Sequence, residues 1–579
     1  MRVFVPSTVG DWTRLFSRWD VLAVLLILGL LVFLGEASRH LFAPLTDLQR
    51  TPLSLDPRNL PEYAARTTLR MLVAMALSLL FTFTYATLAA RSRRAERILV
   101  PLLDILQSVP ILGFISVTVV FFMALAPGRV LGAEFAAIFA IFTSQAWNMA
   151  FSFYQSLRTV PTELTEASRN FRLTRWMAFW RVDVPFAMPQ LIWNMMMSMS
   201  GSWFFVVASE AISVGNTTVT LPGVGSYIAL AIEQQNLKAV GWAIGAMLVV
   251  ILIYDQVLFR PLVAWADRFR FEQEPGGIAP QSWMLNMLRR SRIVDRAKRP
   301  FAVLWRYLLL PHHRIDTVEA IEAAKLVPRP RRGWLSFQVG LIVGVLAALA
   351  LWRTVVFFAE GITLADIGTA TLLGFITLIR VVVLIALASV IWVPVGVWVG
   401  TRPYAALVVQ PIAQFLAAFP ANVLFPIAVS AIVAWKLDPN IWLSPLMILG
   451  TQWYILFNVI AGASAIPAEL RAAAANFRVR GWLWWRRVAL PAVLPYYVTG
   501  AITASGGSWN ASIVAEVASW GNEHLQAKGL GAYIAQQTDA GDFHRIVLGI
   551  AVMSLYVVLI NRVLWRPLYL FAERKFRLG

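Results

Sequence analysis

The sequence predicts an all-α membrane protein of about twelve transmembrane helices, arranged as two parallel six-helix repeats. Three observations predict it. Apolar residues collect in blocks of roughly 18–25, the length a helix needs to cross the hydrocarbon core of a bilayer. Basic residues collect in alternate loops. One set of short motifs occurs twice at a constant offset.

The chain is 59% hydrophobic and only 14% charged, with a mean hydropathy of +0.66. A soluble domain sits nearer half apolar and about a quarter charged. A net charge of +19 would suit nucleic acid. The Lys and Arg residues, however, sit between apolar blocks, where they set membrane orientation. Lipid is therefore the expected surroundings, and no nucleic-acid partner is expected. The absence of cysteine excludes disulfides and thiolate metal sites. Adjacent His312 and His313 are too weak a donor set for a metal site, and no catalytic cluster of His, Asp or Glu stands out within a span.

In the first half, spans are predicted near 21–43, 69–90, 106–126, 133–157, 188–212 and 240–261. In the second half they are predicted near 335–358, 377–400, 411–434, 441–462, 494–517 and 546–566. Arg14 and Arg18 precede the apolar run Val21 to Leu34, which lacks a small-x-small cleavage site and reads as an uncleaved first span. The loop Arg91 to Arg97, the loop holding Arg158, Arg169, Arg175 and Arg181, and the segment 260–334 are all basic. The intervening loops 213–239 and 518–545 are nearly neutral. Both termini and the middle linker are thus expected in the cytoplasm. The organisation is a first repeat over 1–262, a linker over 263–334 and a second repeat over 335–579. Within the linker, Ser282 to Leu288 could form a short amphipathic helix on the membrane surface, although a plain tether joining the halves is the favoured reading.

The repeat decides the class. Pro161-Thr162-Glu163-Leu164 recurs as Pro467-Ala468-Glu469-Leu470, and Asn170-Phe171-Arg172 as Asn476-Phe477-Arg478. Pro185 and Pro189 recur as Pro491 and Pro495, Gly201-Ser202-Trp203 as Gly507-Ser508-Trp509, and Glu210 as Glu516. Gly225-x-Tyr227-Ile228 recurs as Gly531-x-Tyr533-Ile534, and Arg260-Pro261 as Arg566-Pro567. Every one of these pairs is 306 residues apart. Upstream, Arg70 and Pro110 pair with Arg380 and Pro420 at an offset of 310. An even number of crossings in each copy makes the repeats parallel, related by an axis along the membrane normal.

Between the fourth and fifth spans of each copy lies a segment, Glu163 to Pro185 and Glu469 to Pro491, that reads as a short helix, a break and a second short segment before prolines. Pro161 suits a helix start, where its missing N–H costs nothing. Pro185 and Pro189 re-aim the chain into the next span. Leu164, Ala167 and Phe171 fall at helical spacing, so one stripe can fill a groove on a partner. The alternative is a loop that merely turns the chain.

These segments resemble the "EAA" coupling loop of permease subunits in bacterial ABC importers. Glu166-Ala167-Ser168, Phe179, Arg181-Val182 and Pro185 match its spacing, as do Ala473-Ala474, Arg487-Val488 and Pro491. Ala208-Ser209-Glu210, Val514-Ala515-Glu516 and the stretches Gly223 to Ile228 and Gly529 to Ile534 resemble the nitrate/sulfonate/taurine-type branch. The resemblance implies the type I importer permease fold in a bacterial inner membrane. It assigns ATPase coupling to Glu163, Glu166, Ala167, Asn170, Phe171 and Arg172, and to Glu469, Ala473, Asn476, Phe477 and Arg478. It also implies two cytoplasmic ABC ATPase subunits and a periplasmic or lipid-anchored solute-binding protein. The family's turn glycine is Arg172 here and Arg478 in the twin, so a variant turn is expected. The motif's first glutamate is Ala472 in the second copy. No Gly-x-x-x-x-Gly-Lys-Ser/Thr loop occurs, so ATP and Mg belong on the partner subunits and this chain is no enzyme.

Polar groups within spans are candidates for the translocation path, because hydrocarbon does not solvate them. They are Gln145, Asn148, Asn194, Ser198, Ser200, Ser202, Ser209 and Glu210 in the first half, and Gln452, Asn458, Ser505, Ser508, Asn510, Ser512 and Glu516 in the second. Helix–helix hydrogen bonding would account for most of the serines. Arg70 and Arg380 suit either attraction of an anion or an interfacial anchor. The expected cargo is a small anion such as nitrate, a sulfonate, bicarbonate or an organic anion, with ferric iron as the rival. A secondary transporter would need coupling acids deep in its spans, and almost none are present.

Overall fold

The computed structural model describes residues 53–269, 282–309 and 360–576 almost continuously, with scattered positions between 19 and 35 and between 349 and 357. The first half comprises α1 (Leu60–Arg91), α2 (Arg93–Ser108), α3 (Ile111–Leu125), α4 (Val130–Arg158), α5 (Thr162–Asn170) and α6 (Val184–Glu210). A hairpin of β1 (Ala211–Val214) and β2 (Thr217–Thr220) follows, then α7 (Val224–Glu233), α8 (Leu237–Tyr254) and α9 (Arg260–Ala266). The linker holds α10 (Trp283–Arg290) and α11 (Arg292–Leu309). The second half comprises α12 (Leu364–Gly400), α13 (Pro403–Ala418), α14 (Phe425–Ala434), α15 (Gln452–Ser464), α16 (Ala468–Asn476) and α17 (Leu490–Ala515). It closes with the hairpin β3 (Val517–Trp520) and β4 (Glu523–Gln526), then α18 (Leu530–Ala540), α19 (Phe543–Ile560) and α20 (Arg566–Phe576).

Among the described residues, seven helices are long and apolar enough to cross a membrane, or up to nine if each of two bent pairs counts as one span. The expectation of twelve clean spans is thus met in part. The predicted spans at 21–43 and 335–358 lie mostly outside the described residues. The predicted span 106–126 is α3, only 15 residues long, because Pro110 separates it from α2. The span predicted at 411–434 is α13 and α14, bent by more than 40° around Pro420, and that at 441–462 bends before α15. Hydropathy registers apolar length but not these proline breaks. The two antiparallel hairpins, paired Ala211 with Thr220 and Val517 with Gln526, were likewise hidden in what read as neutral loops.

Four π-helical turns share one cause. They cover Phe179–Asp183, Asp255–Phe259, Trp485–Ala489 and Asn561–Trp565. Each is followed by a proline at the second position of the next helix: Pro185, Pro261, Pro491 and Pro567. A proline has no N–H for the carbonyl four residues back, and its ring collides with that carbonyl. The wider turn relieves the collision. Accordingly, the N–H of Val184 bonds Phe179 O, five residues back, and that of Leu490 bonds Trp485 O.

The halves exchange elements. Helix α3 packs on α17 and α19 of the second half, and α13 packs on α6 and α8 of the first. The first core takes in Ala418 and Val423, and the second takes in Leu112. Two hydrogen bonds mirror this exchange: Ile111 N–H to Asn510 Oδ1 at 2.6 Å and Asn422 Nδ2 to Phe204 O at 3.0 Å. The linker helix α10 buries Met284 and Met287 beside Val257. The helix weighed against a plain tether at 282–288 is therefore present, but its apolar side rests on the protein.

Candidate functional site

The two predicted docking loops fold alike. Pro161 enters α5 at φ −55° and ψ 143°, and Pro467 enters α16 at φ −55° and ψ 144°. Phe171 ends α5 at φ −79° and ψ 5°, and Phe477 ends α16 at φ −79° and ψ 7°. The Phe171 N–H bonds Ala167 O at 2.9 Å, and Phe477 N–H bonds Ala473 O at 2.9 Å. Both phenylalanines project outward, 79% and 82% exposed. Glu163, Glu166 and Asn170 are exposed beside Phe171, as are Glu469 and Asn476 beside Phe477. Ala167 and Ala473 are half-buried and support the helices.

The loops differ in their anchoring. Behind α16, Ile466, Ala474, Val488 and Ala492 form a small apolar cluster, and the Arg471 guanidinium bonds Ile466 O at 2.8 Å. Behind α5, Asp183 pairs with Arg91 at 3.3 Å, and the Arg91 guanidinium lies over the Phe179 ring at 5.0 Å.

The variant turn expected from arginine in place of glycine is not what the second loop adopts. Arg478 takes φ +51°, the left-handed conformation that glycine favours. The turn keeps its geometry and the arginine bears the strain, about 1–2 kcal/mol for an L-residue. Arg172 lies outside the described residues. Arg478→Gly should therefore firm the second knuckle by about 1 kcal/mol after allowing for glycine's freer unfolded chain. Hydrogen–deuterium exchange at the amides of Ala468 to Val479 should slow about fivefold, and unchanged or faster exchange would contradict the strain.

At the opposite ends of the same spans, each half holds a buried charged node. In the first, the Arg70 guanidinium makes two bonds to Glu134, both 2.6 Å, one to Glu210 at 2.7 Å and one to Pro222 O at 3.1 Å. Thr67 Oγ1 donates to Glu210 at 2.6 Å and accepts from Val224 N at 3.1 Å. Glu210 also accepts from Gly225 N at 2.6 Å. The carboxylate thus satisfies the N-terminus of α7 and complements its dipole. A Cβ at Gly223 would overlap that carboxylate, so glycine is required there.

The second node repeats the plan. Arg380 bonds Glu516 at 3.0 Å, Thr377 donates to Glu516 at 2.9 Å, Leu530 N donates to Thr377 at 2.9 Å, and Ala532 N donates to Glu516 at 3.1 Å. Gly529 clears the Glu516 carboxylate as Gly223 clears Glu210. Arg70 is 2% exposed and fully engaged, which rules out the interfacial-anchor reading for it. Glu134, Thr67 and Thr377 escaped the sequence reading. A signal existed for the threonines: Thr67-x-x-Arg70 recurs as Thr377-x-x-Arg380 at the 310 offset.

The remaining path candidates are mostly tied between helices. Asn148 donates to Ser198 at 3.0 Å, Asn194 to Ser152 at 2.7 Å, and Ser202 lies 2.7 Å from Ser144. Gln145 accepts from Ser78 at 3.3 Å, Gln452 from Trp392 at 2.8 Å, and Ser508 lies 3.0 Å from Thr451. Asn458 donates to Tyr454 O at 2.8 Å within its own helix. A cavity of about 220 Å³ opens where α6 and α8 meet α13, lined by Met197, Ser200, Tyr254, Asp255, Pro411 and Phe415 among others. Of the polar groups expected along the path, Ser200 lines it. No group of His, Cys, Asp and Glu suited to a metal occurs among the described residues.

Comparison with known proteins places this architecture. The family described as "Binding-protein-dependent transport system inner membrane component" matches residues 71–262 and again 392–575. A bicarbonate transport system permease of Synechococcus elongatus is 29% identical over 200 residues, 34% of this chain and 66% of that protein. A nitrate import permease of Leptolyngbya laminosa is 26% identical over 169 residues, 29% of this chain and 57% of that one. A glycine betaine/proline betaine transport system permease of Escherichia coli is 28% identical over 166 residues, 26% of this chain and 45% of that one. The chain thus spans between 45% and 66% of the length of these relatives. With the matched domain occurring twice over most of its length, the chain belongs to the binding-protein-dependent transport system inner membrane components, as a multi-pass membrane protein with a duplicated domain.

Proposed function

We propose that this chain is the permease of an ATP-driven importer and that its two halves together form the translocation pathway for a small anion. The observation that carries this reading is the pair of knuckles: two short helices with matched caps, each presenting an exposed phenylalanine on the same face. One cytoplasmic ABC ATPase subunit docks on each, through Glu163, Glu166, Asn170 and Phe171 on one side and Glu469, Asn476 and Phe477 on the other. ATP and Mg reside on those subunits. Closure of the ATPase pair draws the knuckles together and rocks the halves, turning the pathway from the outer to the inner side. The knuckle face and both termini are cytoplasmic, as the basic loops favour. The hairpin face receives cargo from a periplasmic or lipid-anchored binding protein.

The similarity to bicarbonate and nitrate permeases supports an anion. The similarity to a glycine betaine/proline betaine permease favours a zwitterion as the competing cargo. Proteoliposomes holding this chain, its ATPases and its binding protein should show ATP-dependent uptake of nitrate or bicarbonate. Uptake of glycine betaine with no anion uptake would replace the anion reading. Uptake without ATPase subunits would remove the importer reading altogether.

A further inference from the structure

The two charged nodes differ at one corner, and the difference bears on cargo. In the first half the guanidinium of Arg70 is saturated. Its Nε and Nη2 edge holds the two oxygens of Glu134 at 2.6 Å each, and Nη1 holds Glu210. In the second half Nη1 of Arg380 holds Glu516 at 3.0 Å, and the Nε and Nη2 edge bonds no described residue. The Arg380 side chain is 12% exposed against 3% for Arg70.

The cause is visible in the chain. At the 306 offset the counterpart of α4 is residues 436–464, whose one acid is Asp438. At the 306 offset Glu134 becomes Asn440, and Pro222, whose carbonyl meets Arg70, becomes Lys528. These two replacements remain neighbours, since Lys528 N donates to Asn440 Oδ1 at 2.9 Å. Asp438 in turn accepts from the Asn440 side-chain amide at 3.1 Å. The positions that supply a carboxylate and a carbonyl to Arg70 in the first half are thus a neutral amide and an exposed lysine in the second.

We propose that the open edge of Arg380 is an anion-receiving site, where a planar oxyanion takes the place that the Glu134 carboxylate takes beside Arg70. The inference rests on the anion reading above and assigns its class: nitrate, bicarbonate or a carboxylate, two of whose oxygens match the parallel N–H groups of a guanidinium. Glu134 serves as the internal pattern of the bound ligand. Lys528 adds attraction near the hairpin face, where cargo would arrive, as a point charge without bidentate geometry. Glu516, Thr377 and the N-terminus of α18 hold Arg380 from the other side, so the edge is fixed before the anion binds.

The test uses the full chain in nanodiscs, with nitrate as the probe and ionic strength held constant with gluconate. Nitrate should raise the thermal midpoint of the wild type saturably. Asn440→Glu should place a carboxylate on the open edge and weaken nitrate binding at least tenfold, while Asn440→Gln should leave it within about twofold. Equal unfolding cooperativity of the two variants without nitrate excludes misfolding as the cause. Wild-type nitrate affinity in Asn440→Glu, or no saturable response in the wild type, overturns the site. If reconstituted complexes still import nitrate under that result, the site fails and the transport reading stands. Binding that responds to Asn440→Glu in a complex that imports no anion retains the site and removes the cargo assignment.

Discussion

Arg70→Leu should destabilise the protein by about 3–5 kcal/mol, the range found when one partner of a buried ion pair is removed, while Arg380→Leu should cost about 1–3 kcal/mol. Leucine at position 70 strands two carboxylates. Glu134 and Glu210 are 5% and 0% exposed, and their nearest cation is the one deleted. Glu210 keeps its bonds to Thr67 and Gly225, but among the described residues only Arg70 bonds the Glu134 carboxylate. In the second half only Glu516 loses its cation, and it retains Thr377 and Ala532. Arg70→Lys should rescue little, since an ammonium cannot span two carboxylates and a carbonyl in the guanidinium's planar geometry. Combining Arg70→Leu with Glu134→Gln should restore part of the loss by removing one unpaired charge. Detergent-induced unfolding in mixed micelles reads these differences. Equal losses at positions 70 and 380 would contradict the account of the nodes as unequal.

The nodes also show what could be seen in the chain and what could not. Arg70, Arg380, Glu210 and Glu516 stood out as charges near spans, and each type recurred at a fixed offset. What each touches was hidden. Arg70 meets partners 64 and 140 residues away, and only the packing of α1 against α4 and α6 brings them together. Glu134 escaped notice because it has no twin in the second half, where Asn440 stands at the 306 offset. The same absence now separates the two nodes. Span boundaries were missed for a related reason. Pro110 and Pro420 interrupt segments whose apolar composition is continuous, and a hydropathy window averages across such breaks. The knuckles were legible because their pattern is local: a proline start, a nine-residue helix and an exposed phenylalanine, all within one short stretch. Arg478 was misjudged because propensity predicts what a residue prefers, and here the surrounding turn overrides it.

Unequal docking at the two knuckles is the second large effect. Phe171 and Phe477 have the same backbone setting and nearly the same exposure, so each should be the apolar anchor of its contact. Truncating such an anchor typically costs about 2 kcal/mol or more, near thirtyfold in affinity. The surrounding charge is not the same. The first knuckle carries exposed Glu163 and Glu166, whereas the second carries Glu469 and has Ala472 opposite Glu166. With fewer polar contacts to fall back on, the second knuckle depends more on its phenylalanine. Phe477→Ala should therefore release its ATPase subunit more completely than Phe171→Ala releases the other, and the double variant should abolish assembly. Glu166→Ala should bring the first knuckle down to the second, with a loss of a few-fold that fades at high salt, as expected for an exposed charge. Titrating the ATPase onto nanodisc-held permease, with two site affinities resolved, measures all four variants. Identical losses for Phe171→Ala and Phe477→Ala would mean that Glu166 adds nothing to docking. Retained assembly in the double variant would mean that the knuckles are turns in the chain and that the ATPases dock elsewhere.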